Sequence, residues 1–165
     1  MPMESRSGPK ANSARMQPDV QLAPGADHNG LCSMLSDLVR QNLQAKPHKL
    51  VDFNALHGIV AIVADDADVA LTLRFERGGK LTLYDGIVSI PDVTIRAPSD
   101  VIIALSNMPM ATPLGLPIPS PRDREALGAV RTVLTAMREG KLHIYGMALH
   151  LPLMLKLSRV LSVNG

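Results

Sequence analysis

The chain has 165 residues, 46% of them hydrophobic and 19% charged, enough apolar material for one domain and too little charge for a chain disordered throughout. A formal net charge of +2 and only four aromatic residues (Phe53, Phe75, Tyr84, Tyr145) argue against a phosphate-gripping or base-stacking nucleic-acid binder. The single Cys32 excludes an intramolecular disulfide and a cysteine zinc cage.

Residues 1–28 read as a flexible tail: prolines 2, 9, 18 and 24 punctuate a polar stretch that lacks periodicity and the apolar core of a signal peptide. On this reading deletion of 1–26 leaves stability almost unchanged. Without a stretch approaching the ~18 apolar residues of a membrane span, the expected setting is cytoplasmic.

The folded domain is expected over 29–165. A helix capped by Asp27 or Asn29 carries the stripe Leu31, Met34, Leu35, Leu38, Val39 and Leu43 and stops at Pro47. Cys32 beside that stripe reads as a packed, inert thiol. Gly58–Ala64 is apolar at both parities, as in a central strand covered on both faces. Alternation then marks a strand from Val69 to Glu76, a Gly78-Gly79 hairpin and a strand through Leu81 and Leu83. Ile87–Ile90 continues the apolar pattern after Asp85-Gly86, and Val93 and Ile95 begin a short strand. Ser99 is the expected cap of a helix that uses Val101, Ile102 and Leu105 and ends before Pro109.

Residues 108–119 hold four prolines and yet carry Met108, Met110, Leu114, Leu116 and Ile118. Proline forbids regular structure here, and loops are normally polar, so these side chains must pack inward or meet something apolar. Ser120-Pro121 starts a helix with the stripe Ala126, Leu127, Val130, Val133, Leu134 and Met137. A strand through Leu142 and Ile144 and a final helix from Leu151 complete the chain. The fold class is α+β, with a mostly antiparallel sheet and helices on one face.

Phosphate-binding, dinucleotide-binding, nucleophile-elbow and zinc-protease motifs are absent. Asp65, Asp66 and Asp68 form a turn short of the ligands of a calcium loop. The histidines at 28, 48, 57, 143 and 150 share no ligand spacing, and no nucleophile, base and orienting group can be assembled. The expectation is therefore no catalytic residue, no metal and no cofactor. What remains is an excess of flexible aliphatic side chains, with Met108, Met110, Met147 and Met154 gathered in the apolar loop and around the last helix. They suit a cavity for an aliphatic ligand closed by that loop and helix.

Three stretches resemble the sterol carrier protein family: the hairpin from Val69 to Leu83; Pro91-Asp92-Val93-Thr94-Ile95 followed by Ser99-Asp100 and an apolar helix; and Gly140-Lys141-Leu142-His143-Ile144-Tyr145-Gly146 before a Leu-rich helix. Together they span about residues 50–163. The family usually links its helix to the Gly-Lys-Leu strand more directly than the Pro-rich loop and helix found here. The resemblance implies a five-stranded sheet covered by helices around an apolar tunnel, and non-catalytic binding and transfer of a sterol, fatty acyl or isoprenoid lipid.

The residues expected to line that tunnel are Leu71, Leu73, Phe75, Leu81, Leu83, Val101, Leu105, Met108, Met110, Leu114, Leu116, Ile118, Met147, Met154 and Leu157. Expected partners are the lipid, a membrane met transiently, and no nucleic acid. The alternative is an accessory subunit that presents its apolar loop to an enzyme of lipid or isoprenoid-quinone synthesis. A hydrolase dependent on His143 or His150 is a third reading.

Overall fold

A computed structural model describes residues 18–108 and 124–163. Its six strands are β1 (Asp19–Leu22), β2 (Gly58–Ala64), β3 (Val69–Glu76), β4 (Lys80–Asp85), β5 (Val93–Ala97) and β6 (His143–Tyr145). Its five helices are α1 (Gly30–Ala45), α2 (Lys49–Ala55), α3 (Ser99–Ser106), α4 (Arg124–Arg138) and α5 (Leu151–Leu161).

The strands form one open sheet in the order β1-β4-β3-β2-β5-β6. The α+β class stands, three of the five strand pairs are antiparallel, and the strand count is corrected. Among the described residues there are six strands in place of five, and the sheet is mixed, with β1 parallel to β4 and β5 parallel to β2. The reading of 1–28 as a tail is corrected over 19–28, where β1 and a 3₁₀ turn at Ala26–His28 are built. Val20 and Leu22 face Leu81 and Leu83, so alternation persists in β1 over too few residues to stand out among prolines.

Register explains the core. The row Leu22–Leu83–Leu73–Val60–Val93 crosses five strands on one face, and Ile62 stands beside both Leu71 and Ile95. Side chains alternate across a strand, so this single register gathers the apolar residues on one face, where α1 and α5 pack.

The parallel β5 follows from the segment between Asp85 and Val93. Read as a continuing strand, 87–90 instead crosses the other face of the sheet outside any strand. Gly86 N donates to Ala70 O (2.9 Å), Thr72 Oγ1 donates to Gly86 O (2.8 Å), and Asp92 N donates to Ile59 O (2.8 Å). The chain thus runs from the start of β3 to the start of β2 and enters β5 in the direction of β2. It leaves Ile87, Val88 and Ile90 exposed. Asp92 Oδ2 also accepts from Ile59 N (2.8 Å). Gly146, at φ +80°, lets the turn after β6 approach the Asp92 carbonyl, which a Cβ there would strike.

Helix ends are satisfied by tertiary partners. Asn29, one of two expected caps, accepts from Leu31 N (3.0 Å) and Cys32 N (3.3 Å), and its amide donates to Asp85 Oδ1 (2.7 Å) and Ala70 O (3.0 Å). Ser99 is corrected from cap to first helical residue. Asp66, from the β2–β3 turn, accepts from both Ser99 N (2.8 Å) and Ser99 Oγ (2.7 Å). These bonds hold its carboxyl below the usual carboxylate range. Cys32 is fully buried, and burial, with Asp85 nearby, raises its thiol to about 11, as suits an inert packing group.

The C-terminal carbonyls of α5 are met by α1 and α2. Asn42 Nδ2 donates to Val160 O (3.0 Å) and Leu161 O (2.9 Å), and Lys49 Nζ donates to Ser162 O. Lys49 is only 2% exposed. Burial, aided by the charge of Lys46, pushes its ammonium down to about 8 from 10.5. Between those values the unfolded chain holds a proton that the folded chain has released, so stability rises with pH across the window. In Lys49→Met that rise should vanish, leaving a lower stability because the Ser162 carbonyl loses its donor. Urea denaturation of both proteins across this alkaline range measures the difference; parallel profiles would contradict it.

Candidate functional site

An apolar slit opens between α3, α5 and the sheet. The sheet contributes Ile62, Ile95 and Ile144, α1 contributes Leu35, α3 contributes Ile102, Leu105 and Ser106, and α5 contributes Met154, Leu157, Ser158 and Leu161. Nine of these eleven side chains are aliphatic or thioether. Ser106 spends its hydroxyl on Ile103 O of its own helix (2.9 Å). A wall of this kind offers dispersion and water exclusion, with little to orient a polar substrate. The volume is about 50 Å³, well under the ~300 Å³ at which small-molecule pockets begin. Among the described residues the space is a narrow slit, and the expected tunnel is not seen there.

One end of the slit is tied. Val163 N donates to Ser106 O (3.0 Å) and Ser162 Oγ to Met108 O (2.5 Å), fastening the end of α5 to the end of α3.

Of the expected lining residues, Leu105, Met154 and Leu157 come together in the slit. Leu71, Leu73, Phe75, Leu81 and Leu83 are fully or almost fully buried in the core and do not line it, although Leu71 stands beside the lining residue Ile62. Val101 is buried on α3, Met108 is buried at the end of that helix, and Met147 is 41% exposed. Met110, Leu114, Leu116 and Ile118 lie outside the described residues. The aliphatic residues that sequence reasoning missed are Leu35, Ile62, Ile95, Ile102, Ile144 and Leu161, which read as ordinary core. For the three strand isoleucines, Ile62, Ile95 and Ile144, the signal was available only jointly: they become neighbours because β5 lies next to β2 and β6 next to β5.

The histidines form no comparable centre. His150 Nε2 stands 4.0 Å from Asp92 Oδ1, in a groove shared with His57 and Lys156. His143 stacks on Tyr145, with ring centroids 6.1 Å apart. Asp65 and Asp66 are engaged by Arg96 and Ser99, and no group of three metal-ligating side chains occurs among the described residues.

No protein-family model matches the sequence, and no curated protein does. A solved structure described as the UbiJ-SCP2 ubiquinone synthesis protein is similar to this chain over 81% of its length and 93% of that structure, with a TM-score of 0.50 and 15% identity. The chain has a sterol-carrier-like fold. The sterol-carrier-like fold accounts for the order of hairpin, short strand, helix and late strand that the three sequence stretches trace. Among the described residues, no helix is long and apolar enough to cross a membrane.

Proposed function

We propose that this protein binds the apolar chain of a lipid, a sterol, fatty acyl or isoprenoid compound, in the slit between α3 and α5, without covalent chemistry. The observation that carries the proposal is the lining: aliphatic and thioether side chains from six elements converge on one space, with two serines as the sole polar groups. A lipid tail hiding ~400 Å² of apolar surface gains ~10 kcal/mol gross at 25 cal/mol per Å². The costs of association, ordering and widening the slit take back much of that. Useful affinity thus needs no polar anchor.

The fold likeness to a ubiquinone synthesis protein supports testing isoprenoid quinones first. It also supports the second reading, an accessory role beside an enzyme of such a pathway, for which a stoichiometric co-purifying enzyme would speak.

Titration with fluorescent acyl, sterol and isoprenoid probes should saturate near one per chain for at least one class. Met154→Trp, placed at the half-buried wall of the slit, should weaken that binding by at least about tenfold by overfilling the space. Absence of saturable binding across all three classes would contradict the proposal.

A further inference from the structure

Helix α4 is packed with its small side chains inward and its large ones outward. Ala126, Ala129, Val133 and Ala136 are buried, and the helix packs on α3. Leu127, Leu134 and Met137 are 40%, 60% and 53% exposed. Burial alone would choose the opposite, since a leucine removes far more apolar surface from water than an alanine. The stripe expected from the sequence places Ala126 and Val133 together with Leu127, Leu134 and Met137 and leaves out Ala129 and Ala136. The structure splits them, and the outward half has no cover among the described residues.

The outward half is ordered. Leu127 and Leu134 lie seven residues apart, two helical turns, so they share a line. Alongside them Arg124, Arg131 and Arg138 repeat the same spacing, all exposed. Glu125 lies on a different side of the helix, and Glu139, just beyond its end, is paired with Lys141 at 2.7 Å. The surface is a convex apolar ridge flanked by a row of three guanidinium groups. A partner helix is usually received by a groove, whereas a convex ridge with a cationic border is the form that sinks into the headgroup boundary of a bilayer.

We propose that α4 docks the protein on an anionic lipid surface, with Leu127, Leu134 and Met137 entering the acyl boundary and Arg124, Arg131 and Arg138 meeting phosphate headgroups. The inference goes beyond the proposed lipid slit and stands on the helix face alone.

Vesicle co-sedimentation of the full chain tests it. Binding is expected to phosphatidylcholine vesicles containing about a third phosphatidylglycerol and to fall as salt rises. Each arginine near such a surface contributes about fivefold, so Arg124→Gln/Arg131→Gln/Arg138→Gln should bind roughly 100-fold more weakly. Leu127→Ser/Leu134→Ser should lose at least about tenfold. Both variants change exposed residues and should melt with wild type. Vesicle-free titration with the fluorescent acyl probe should be unchanged in both, and failure of that titration in wild type would remove the slit reading and leave the docking result standing. Wild-type protein that ignores anionic vesicles, or variants that bind them as well as wild type does, would overturn the proposal. So would a ridge that instead pairs two copies, seen as a concentration-dependent dimer lost in the leucine variant without vesicle binding.

Discussion

Leu73→Ala is expected to cost the fold about 3–4 kcal/mol while leaving the affinity of the folded protein for an acyl probe unchanged. Leu73 is fully buried and lies between Leu83 and Val60 in the row that crosses the sheet. Truncation there opens a cavity with neighbours on both flanks and little freedom to collapse. Against a total stability of ~5–15 kcal/mol the loss is large, and in a domain of this size it should lower the melting temperature by roughly 10 °C. Leu73 does not line the slit, so ligand affinity measured well below the melting temperature should hold. Leu105→Ala should show the reverse pattern. Leu105 is half-buried and lines the slit, so affinity should fall with a smaller loss of stability. Calorimetric melting and probe titration of both variants separate the two roles. A Leu73→Ala protein that melts normally and binds poorly would return the hairpin to the ligand site.

A chain beginning at Asp27 is expected to melt about 10 °C below one beginning at Pro18. The difference removes β1 and its turn. Val20 is buried against Leu81, Ala26 is fully buried, Asp19 N and Ala23 N donate to Gly79 O and Leu83 O at 2.8 Å each, and Arg40 Nη2 donates to Val20 O at 2.8 Å. Loss of these contacts is worth about 3 kcal/mol after the freed residues regain their conformational entropy. It also bares the edge of β4, whose backbone N–H and C=O groups lose their partner strand, so the shorter protein should aggregate more readily. Equal melting of the two chains would mean that β1 adds nothing to the fold.

The parts of the fold legible in the sequence are those with long periodic signals. β3 and β4 alternate cleanly around Gly78-Gly79, and α1, α4 and α5 are striped helices of 16, 15 and 11 residues. What escaped had short or misleading signals. β1 has four residues, and α2 has seven, begins with a lysine and lacks a side-chain cap. Ile87–Ile90 looks like a strand and is a crossing. Ser99 looks like a cap and is replaced by Asp66 from another turn, a partner invisible to local pattern. The same limit governed the site. Met154 and Leu157 stood out because they crowd the final helix, whereas Ile62, Ile95 and Ile144 sit on strands whose adjacency is a property of topology. On α4 the periodicity marked the helix found over Arg124–Arg138, while its expected start at Ser120-Pro121 lies outside the described residues, and it could not say which part of the stripe faces α3, because the alanines that do so weigh little on any hydrophobic scale.

The central claim, a lipid chain held between α3 and α5, is tested most directly by nuclear magnetic resonance of protein labelled at the isoleucine δ-methyl groups, with and without a fatty acyl or isoprenoid ligand. Ile62, Ile95, Ile102 and Ile144 line the slit, while Ile87 and Ile90 are exposed on the segment that crosses the opposite face of the sheet. The account predicts saturable shifts at the first four and none at the last two. Shifts confined to Ile87 and Ile90, or no shift at any methyl while ligand is bound, would contradict it.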